Sequence, residues 1–494
     1  MPSRHLFTKS LPFAASASVV LISVFYKFSL TLNSLLPGLD GAYYWVQVRS
    51  LLENSSLAFS DLPLVFYVQA GIAWLLNDIP SAVRISDAIL PALSAFPIYL
   101  IARRYPIPLL PAVSIVFVLL NPVQLFFFTG DFIKNEAAIP AVFLLSWILL
   151  SWDERGARSR YVMAGTTILA ISFTHFGTLL LALMILSFWL LVRIRQQQVK
   201  IRPLTIGLVI VSSLLVALML ALVVPSRFTT LTTFILNPVE IFKLPAWQAI
   251  LYGYANPVIA STIILCQLGS IMLGVFAWKL RSTFSISEAS VVWSSLIVTF
   301  VLSSPIIGIA WFNRLAALAF VPLAVSGIII FAKSSTVLQR TLIGALAVIT
   351  LLASVTLSLR GPTPPVLSES RYSDFKEFAK TVELPENSIV VASHGMEFLS
   401  TWLLVTDVAS DAYYETSCLS SYSAIFLLID KNVGGASDKP SSAGSSDKPP
   451  PPGGSASTGN KPADSNKKPV CQNQIPPEGA KVFIGNEFVL VQVR

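Results

Sequence analysis

Charge is scarce in this chain. Of its 494 residues only 12% are Asp, Glu, Lys or Arg while 54% are hydrophobic, and a soluble protein has no place to hide that much apolar surface. Cysteine is nearly absent, and three residues are too few for a disulfide framework. Cys418 and Cys471 both fall in the polar C-terminal region, where a bridge across the segment between them competes with two unpaired thiols. No internal repeat is visible, so the paired halves common in transporters are missing. The first apolar run, from about Leu11 to Leu32, is too long for a removable signal peptide and lacks a small-residue cleavage pattern. It reads as a retained span. The net charge of +8 does not call for nucleic acid, because the basic residues fall mainly in short loops between apolar runs, where they report topology.

What the chain has in abundance is apolar runs of span length. They recur at 11–32, 86–102, 106–128, 137–152, 161–174, 178–193, 204–224, 257–278, 290–310, 315–332 and 341–359, about eleven in all. In lipid they must be helices, since an isolated strand leaves its backbone unsatisfied. Arg103-Arg104, the segment from Asp153 to Arg160, "RIRQQQVKIRP", Lys279 with Arg281, and Lys333 with Arg340 occupy alternate loops. The positive-inside bias makes these loops cytoplasmic, together with the N-terminus at Arg4 and Lys9. The stretch "LPLVFYVQAGIAWLL", residues 62–76, would turn every later basic loop outward if it spanned, so we read it as a helix lying in the outer interface. Residues 33–85 then form one long outer loop, and loops of that length between spans usually carry function.

The expected fold class is an all-α polytopic membrane domain, residues 1–360, plus a small extracytoplasmic α/β domain, residues 361–494. In the second, helix-like "SDFKEFAKTV" alternates with strand-like "NSIVVASH" and "YSAIFLLID". Residues 433–470 are Ser, Gly, Pro and Lys without apolar periodicity and read as a disordered insertion. "KVFIGNEFVLVQV" closes the domain as a hairpin with Gly485-Asn486 as its turn. The whole reads as a multi-pass protein of the cell membrane with its C-terminal domain outside.

Five outer segments carry the polar chemistry. Asp40, in "LLPGLDGAYYWVQVRSLLE", is either a helix cap or exposed interfacial charge, or an acid that serves a sugar site. Tyr43, Tyr44 and Trp45 beside it suit an interfacial belt or a sugar platform. "GDFIKNE" packs Asp131, Lys134 and Glu136 into a short loop. Its two carboxylates could share a divalent ion such as Mg or Mn, while the Lys between them argues for an ion pair or a phosphate. Arg314, in "WFNR", stands on the outer side against the topological trend, where it either snorkels or takes a lipid phosphate bidentately. His175, in "SFTHFGT", and Glu240, in "NPVEIFKLPAW", are weaker candidates, and His394 belongs with the C-terminal fold.

In this order the pieces resemble the C-type glycosyltransferase superfamily (GT-C), and especially the catalytic subunits of oligosaccharyltransferases. "LDGAYYW" looks like the family's first-loop acid followed by aromatics, with Asp40 in the acid position. "GDFIKNEAAIPAVFLL" looks like its second acidic loop and the span after it. "NRLAALAFVPLAVSG" is similar to the late segment where an Arg meets the lipid phosphate. The likeness covers roughly the first 150 residues and the tenth span. Lys134 stands where a metal-binding Asp belongs, Asp131 is displaced, and the Trp-Trp-Asp acceptor motif is absent from the small tail. Metal-free relatives that use polyprenyl-phosphate sugars, such as protein mannosyltransferases and the arabinose transferases that modify lipid A, fit a Lys-bearing loop better.

The resemblance implies inverting transfer of a sugar from a polyprenyl-phosphate donor to a protein, glycan or lipid acceptor. Asp40 would be the base, Lys134 and Arg314 would hold the phosphate with Tyr43, Tyr44 and His175 nearby, and Glu136 and Asp131 would orient Lys134 or hold a metal. A transporter or flippase for a lipid-linked or anionic substrate, and an inactive GT-C relative, are the rivals. The near absence of ionisable residues within the spans and their collection on one face argue against alternating access.

Overall fold

The structure is a computed structural model that describes residues 3–38, 40–130, 132–196, 221, 257–304, 315–359, 364–393, 395–410, 422–431 and 482–492. The N-terminal part runs α1 (Ser3–Ser29), α2 (Gly41–Asn54), α3 (Leu64–Leu76), α4 (Ile79–Ala92), α5 (Ala95–Ala102), α6 (Leu110–Leu119), α7 (Pro122–Thr129), α8 (Ile133–Leu150), α9 (Ala157–Ser172) and α10 (Phe176–Arg195). After these come α11 (Pro257–Lys279), α12 (Ile286–Leu302), α13 (Phe320–Lys333) and α14 (Val337–Leu359). Among the described residues seven helices are long and apolar enough to cross a membrane, fewer than the eleven or so expected. Two expected spans, 161–174 and 290–310, become helices of 16 and 17 residues, α9 and α12. The expected span at 204–224 falls almost wholly outside the described residues.

Local chemistry explains the breaks. The span Leu110–Thr129 is cut in two because Asn121 accepts from the Val123 N–H and Pro122 starts a new helix where its missing N–H costs nothing. α2 stops where Ser55 turns left-handed at φ 56° and donates its N–H to the Leu51 carbonyl. α3 is not long enough to span and lies against α2 and α4, burying Val65, Phe66, Gln69, Ala70 and Ala73. Its other side exposes Tyr67, Trp74 and Leu75, the amphipathic pattern expected of an interfacial helix.

The C-terminal unit comprises α15 (Glu369–Thr381), β1 (Ser388–Ala392), α16 (Met396–Leu404), β2 (Asp407–Ser410), β3 (Ala424–Asp430), β4 (Val482–Ile484) and β5 (Phe488–Gln492). Its sheet has the order β2-β1-β3-β5-β4, with β1 parallel to β2 and β3, and β5 antiparallel to β3 and β4. The closing hairpin forms one residue later than expected: Ile484 pairs with Val489 and Gly485 donates to the Phe488 carbonyl, so Asn486-Glu487 make the turn. Glycine at 485 lets the Phe378 ring pack close to the backbone, since a Cβ there would meet that ring at 2.7 Å.

This unit shares a core with the long loop. Tyr44, Trp45, Val48 and Phe66 pack in one cluster with Phe375, Val390, Leu399, Phe426 and Leu490, while a separate cluster built from α5 to α14 fills the bundle. Arg49 donates to the Trp402 and Thr401 carbonyls at 2.8 Å and lies over the Trp402 ring. Burial lowers the pKa of the Arg49 guanidinium, with Glu53 opposing.

Candidate active site

The site begins where α1 hands over to α2. Gly38 takes φ 90°, a backbone conformation open to glycine. Arg84 ties the segment down through the Asn33 and Ser34 carbonyls, and Glu369 of the C-terminal unit accepts the Ser34 N–H. Asp40 follows at the N-cap position of α2, half-buried. It caps with its carbonyl, which accepts the Tyr43 N–H at 3.0 Å, and not with its carboxylate.

One turn along α2 a network forms around Asp61, a buried residue with 5% of its surface exposed. Its Oδ2 accepts from both Tyr43 Oη and Lys134 Nζ, and its Oδ1 accepts the Leu62 N–H at 2.8 Å. Gln47 braces the arrangement, donating to Tyr43 Oη at 2.9 Å and holding the Phe59 backbone through both amide atoms. Tyr43 is also packed by Phe59, Phe66 and Phe398, the last at 5.0 Å. Lys134 Nζ sits 5.4 Å from the Tyr43 ring centroid and 5.8 Å from that of Phe66. Its side chain stays 17% exposed. An ammonium has three donors, so the Asp61 contact leaves others for a ligand.

Lys134 is aimed by the turn before α8. A Cβ at Gly130 would meet the Phe132 ring at 2.9 Å, so glycine lets Phe132 fold back, where its N–H reaches the Phe127 carbonyl. The helix then points Lys134 and Glu136 to different sides, as residues two apart must be. Glu136 is 0% exposed and pairs with Lys27 of α1 at 2.8 Å. Its Oε2 has no partner among the described residues. The expectation that Glu136 orients Lys134 is therefore corrected: Asp61 does this, and Glu136 is neutralised from the opposite side by Lys27.

The remaining candidates divide. Tyr44 and Trp45 are 3% and 1% exposed and belong to the shared core, so neither presents an open ring face to a sugar. His175 is the N-cap of α10: its Nδ1 accepts the Thr178 N–H at 3.2 Å and lies 2.8 Å from Thr178 Oγ1. Gly177 leaves room for that ring. Asp131, Arg314, Glu240, His394, Cys418 and Cys471 lie outside the described residues.

Among the described residues no three His, Cys, Asp or Glu side chains converge on a metal position. Of the two ligands expected for a divalent ion, Asp131 lies outside the described residues and Glu136 faces an ammonium. The described residues of this loop do not fit such an ion, and we derive no step through one.

The architecture has counterparts among solved structures. The archaeal oligosaccharyltransferase AglB from Archaeoglobus fulgidus, in complex with an inhibitory peptide and a dolichol-phosphate, matches at TM-score 0.53 and 12% identity, over 85% of this chain and 70% of that one. An Archaeoglobus fulgidus oligosaccharyltransferase in complex with Zn and sulfate matches at 0.52 and 13%, over 84% and 68%. This chain shares its fold with these archaeal oligosaccharyltransferases. ArnT from Cupriavidus metallidurans in the apo state also matches, at TM-score 0.46 and 11% identity over 98% of both chains. No protein-family model and no curated relative matches the sequence.

Sequence reasoning missed two residues of this site. Asp61 carries no local signal, because its partner Lys134 is 73 positions away. Lys27 did carry one: a cation near the far end of the first span breaks the positive-inside trend just as Arg314 does.

Proposed function

We propose that this chain is a membrane glycosyltransferase that moves a sugar from a polyprenyl-phosphate donor to an acceptor on the extracytoplasmic face, with inversion. The observation that carries this reading is a partly exposed lysine of α8, Lys134, held by buried Asp61 of the same long loop as Asp40, on a fold shared with oligosaccharyltransferases. The acceptor is a protein, glycan or lipid hydroxyl. The Asp40 carboxylate takes the hydroxyl proton as that oxygen attacks the anomeric carbon, and the bond from this carbon to the phosphate oxygen breaks. Polyprenyl phosphate leaves with the electron pair. Lys134, pre-positioned by Asp61, stabilises the charge that develops on it, and Arg314 assists as the family resemblance implies. The phosphate-bearing lipid named with the archaeal relative, dolichol-phosphate, supports a donor of this class.

Two ammoniums, Lys134 of α8 and Lys27 of α1 on Glu136, stand where a divalent ion would otherwise balance charge. We therefore expect transfer to resist chelation. The test incubates purified protein with labelled polyprenyl-phosphate sugars, with and without chelator, and repeats this with Asp40→Asn. Loss of the base should slow transfer about a hundredfold or more. Full activity of Asp40→Asn would end its assignment as base. Donor binding without turnover would point to an inactive relative, and no donor binding to a transporter.

A further inference from the structure

The end of the bundle opposite Asp61 holds a cavity of about 450 Å³ lined by Arg104, Tyr105, Pro106, Glu288, Ala332 and Lys333. Its walls are the α5–α6 connection, the start of α12 and the end of α13. Ser285 and Glu288 form a reciprocal capping box that fixes the Glu288 carboxylate at the start of α12. One Glu288 oxygen then accepts from Tyr105 Oη and the other from Lys333 Nζ, each at 3.0 Å. Lys333 also donates to the Thr283 carbonyl at 3.2 Å. Arg104 forks onto Glu154, whose side chain is 58% exposed and stands outside the lining. The lining therefore carries two cations against one carboxylate, in a space of the size that holds small polar ligands.

The rim indicates which kind of anion fits. Leu109, Ile286, Val337 and Leu338, each within a few residues of a lining residue, are apolar and 52%, 41%, 81% and 69% exposed. In a membrane these side chains lie against lipid, so a soluble anion would neutralise the cavity without using them. An amphiphile with a phosphate satisfies both. We propose that this cavity binds the phosphate headgroup of an anionic membrane lipid, with its acyl chains along the starts of α6, α12 and α14. The Arg104 guanidinium takes two phosphate oxygens, exchanging part of its hold on exposed Glu154, and Lys333 adds a point charge. Basic pockets between helix ends hold lipid phosphates on these terms. The site is a full span away from Asp61 and does not depend on the transferase reading.

The test is native mass spectrometry of the full chain with phosphatidylglycerol or phosphatidylcholine, with inorganic phosphate as competitor. Phosphatidylglycerol should be retained about tenfold or more over phosphatidylcholine, and the double variant Arg104→Gln, Lys333→Gln should lose that preference. Glu288→Gln keeps a capping-box residue but removes the opposing charge. It should tighten retention about threefold or more. Equal preference in wild type and double variant, or weaker retention by Glu288→Gln, overturns the proposal. So does displacement by millimolar inorganic phosphate, which would make the ligand a soluble anion. Because the two variants act in opposite directions, Glu288→Gln decides the matter if the double variant fails to fold.

Discussion

Both ends of this helical bundle are tied by ion pairs, but in different surroundings. At the Asp61 end the partners Lys27 and Glu136 are 2% and 0% exposed, and Lys134 and Asp61 are 17% and 3%. At the arginine-rich end, Arg104–Glu154 is 27% and 58% exposed and Arg193–Asp153 is 5% and 49%. Pairs open to water cost little to make or lose, and their placement reports orientation. Dry pairs are costly to assemble and costlier to break, so their presence marks a region where charge is needed. The same residue types thus pair in dry surroundings at one end and partly in water at the other.

The sharpest way to test that contrast is to break one pair of each kind. Lys27→Met strands Glu136 in a dry setting and should cost about 3–5 kcal/mol of stability. Adding Glu136→Leu should restore much of that loss, as measured by thermal unfolding in a fixed detergent. A single variant as stable as wild type would show that the pair is not dry. Next in size is Asp61→Asn, which keeps the shape and removes the charge that holds Lys134. It should weaken polyprenyl-phosphate binding about tenfold, whereas Gln47→Leu, which leaves that ion pair, should change it far less. Arg49→Ala removes two charge-assisted bonds that join α2 to α16 and should cost about 1.5–3 kcal/mol, read as earlier proteolysis of the C-terminal unit.

The smallest effect belongs to the exposed pairs. Arg104→Gln should change stability by about 1 kcal/mol or less. Arg193 above all, with help from Ser287, holds the Asp153 carboxyl below its ordinary range against partial burial. A depressed carboxylate stabilises the fold above its unfolded pKa, near about 4, and that stabilisation is lost as pH falls through the lower folded value. Asp153→Asn should therefore flatten the acid limb of a melting profile below about pH 4. An unchanged limb would remove Asp153 from the account of this end.

Much of this was legible from residue types. The apolar helices, the short helix within 62–76 and the strand-like segments follow from period and length. What was not legible is who faces whom. Glu136 and Lys134 look like partners because they are two apart, yet helical geometry sends them to Lys27 and Asp61, 109 and 73 residues away. Tyr44 and Trp45 resemble an aromatic belt because their cover, the C-terminal unit, begins more than three hundred residues later. His175 resembles a site residue until its ring is seen capping α10.

That shared core also sets a clock for assembly. Arg49 and its carbonyl partner on Trp402 are separated by 353 residues. At synthesis rates of about 5–20 residues per second, α2 waits roughly 20–70 s before the segment that covers Tyr44 and Trp45 exists. During that interval two large aromatic faces stand uncovered beside the nascent bundle. A protein built this way matures late, and its newborn form should be captured by whatever shelters exposed apolar surface until the last strands arrive.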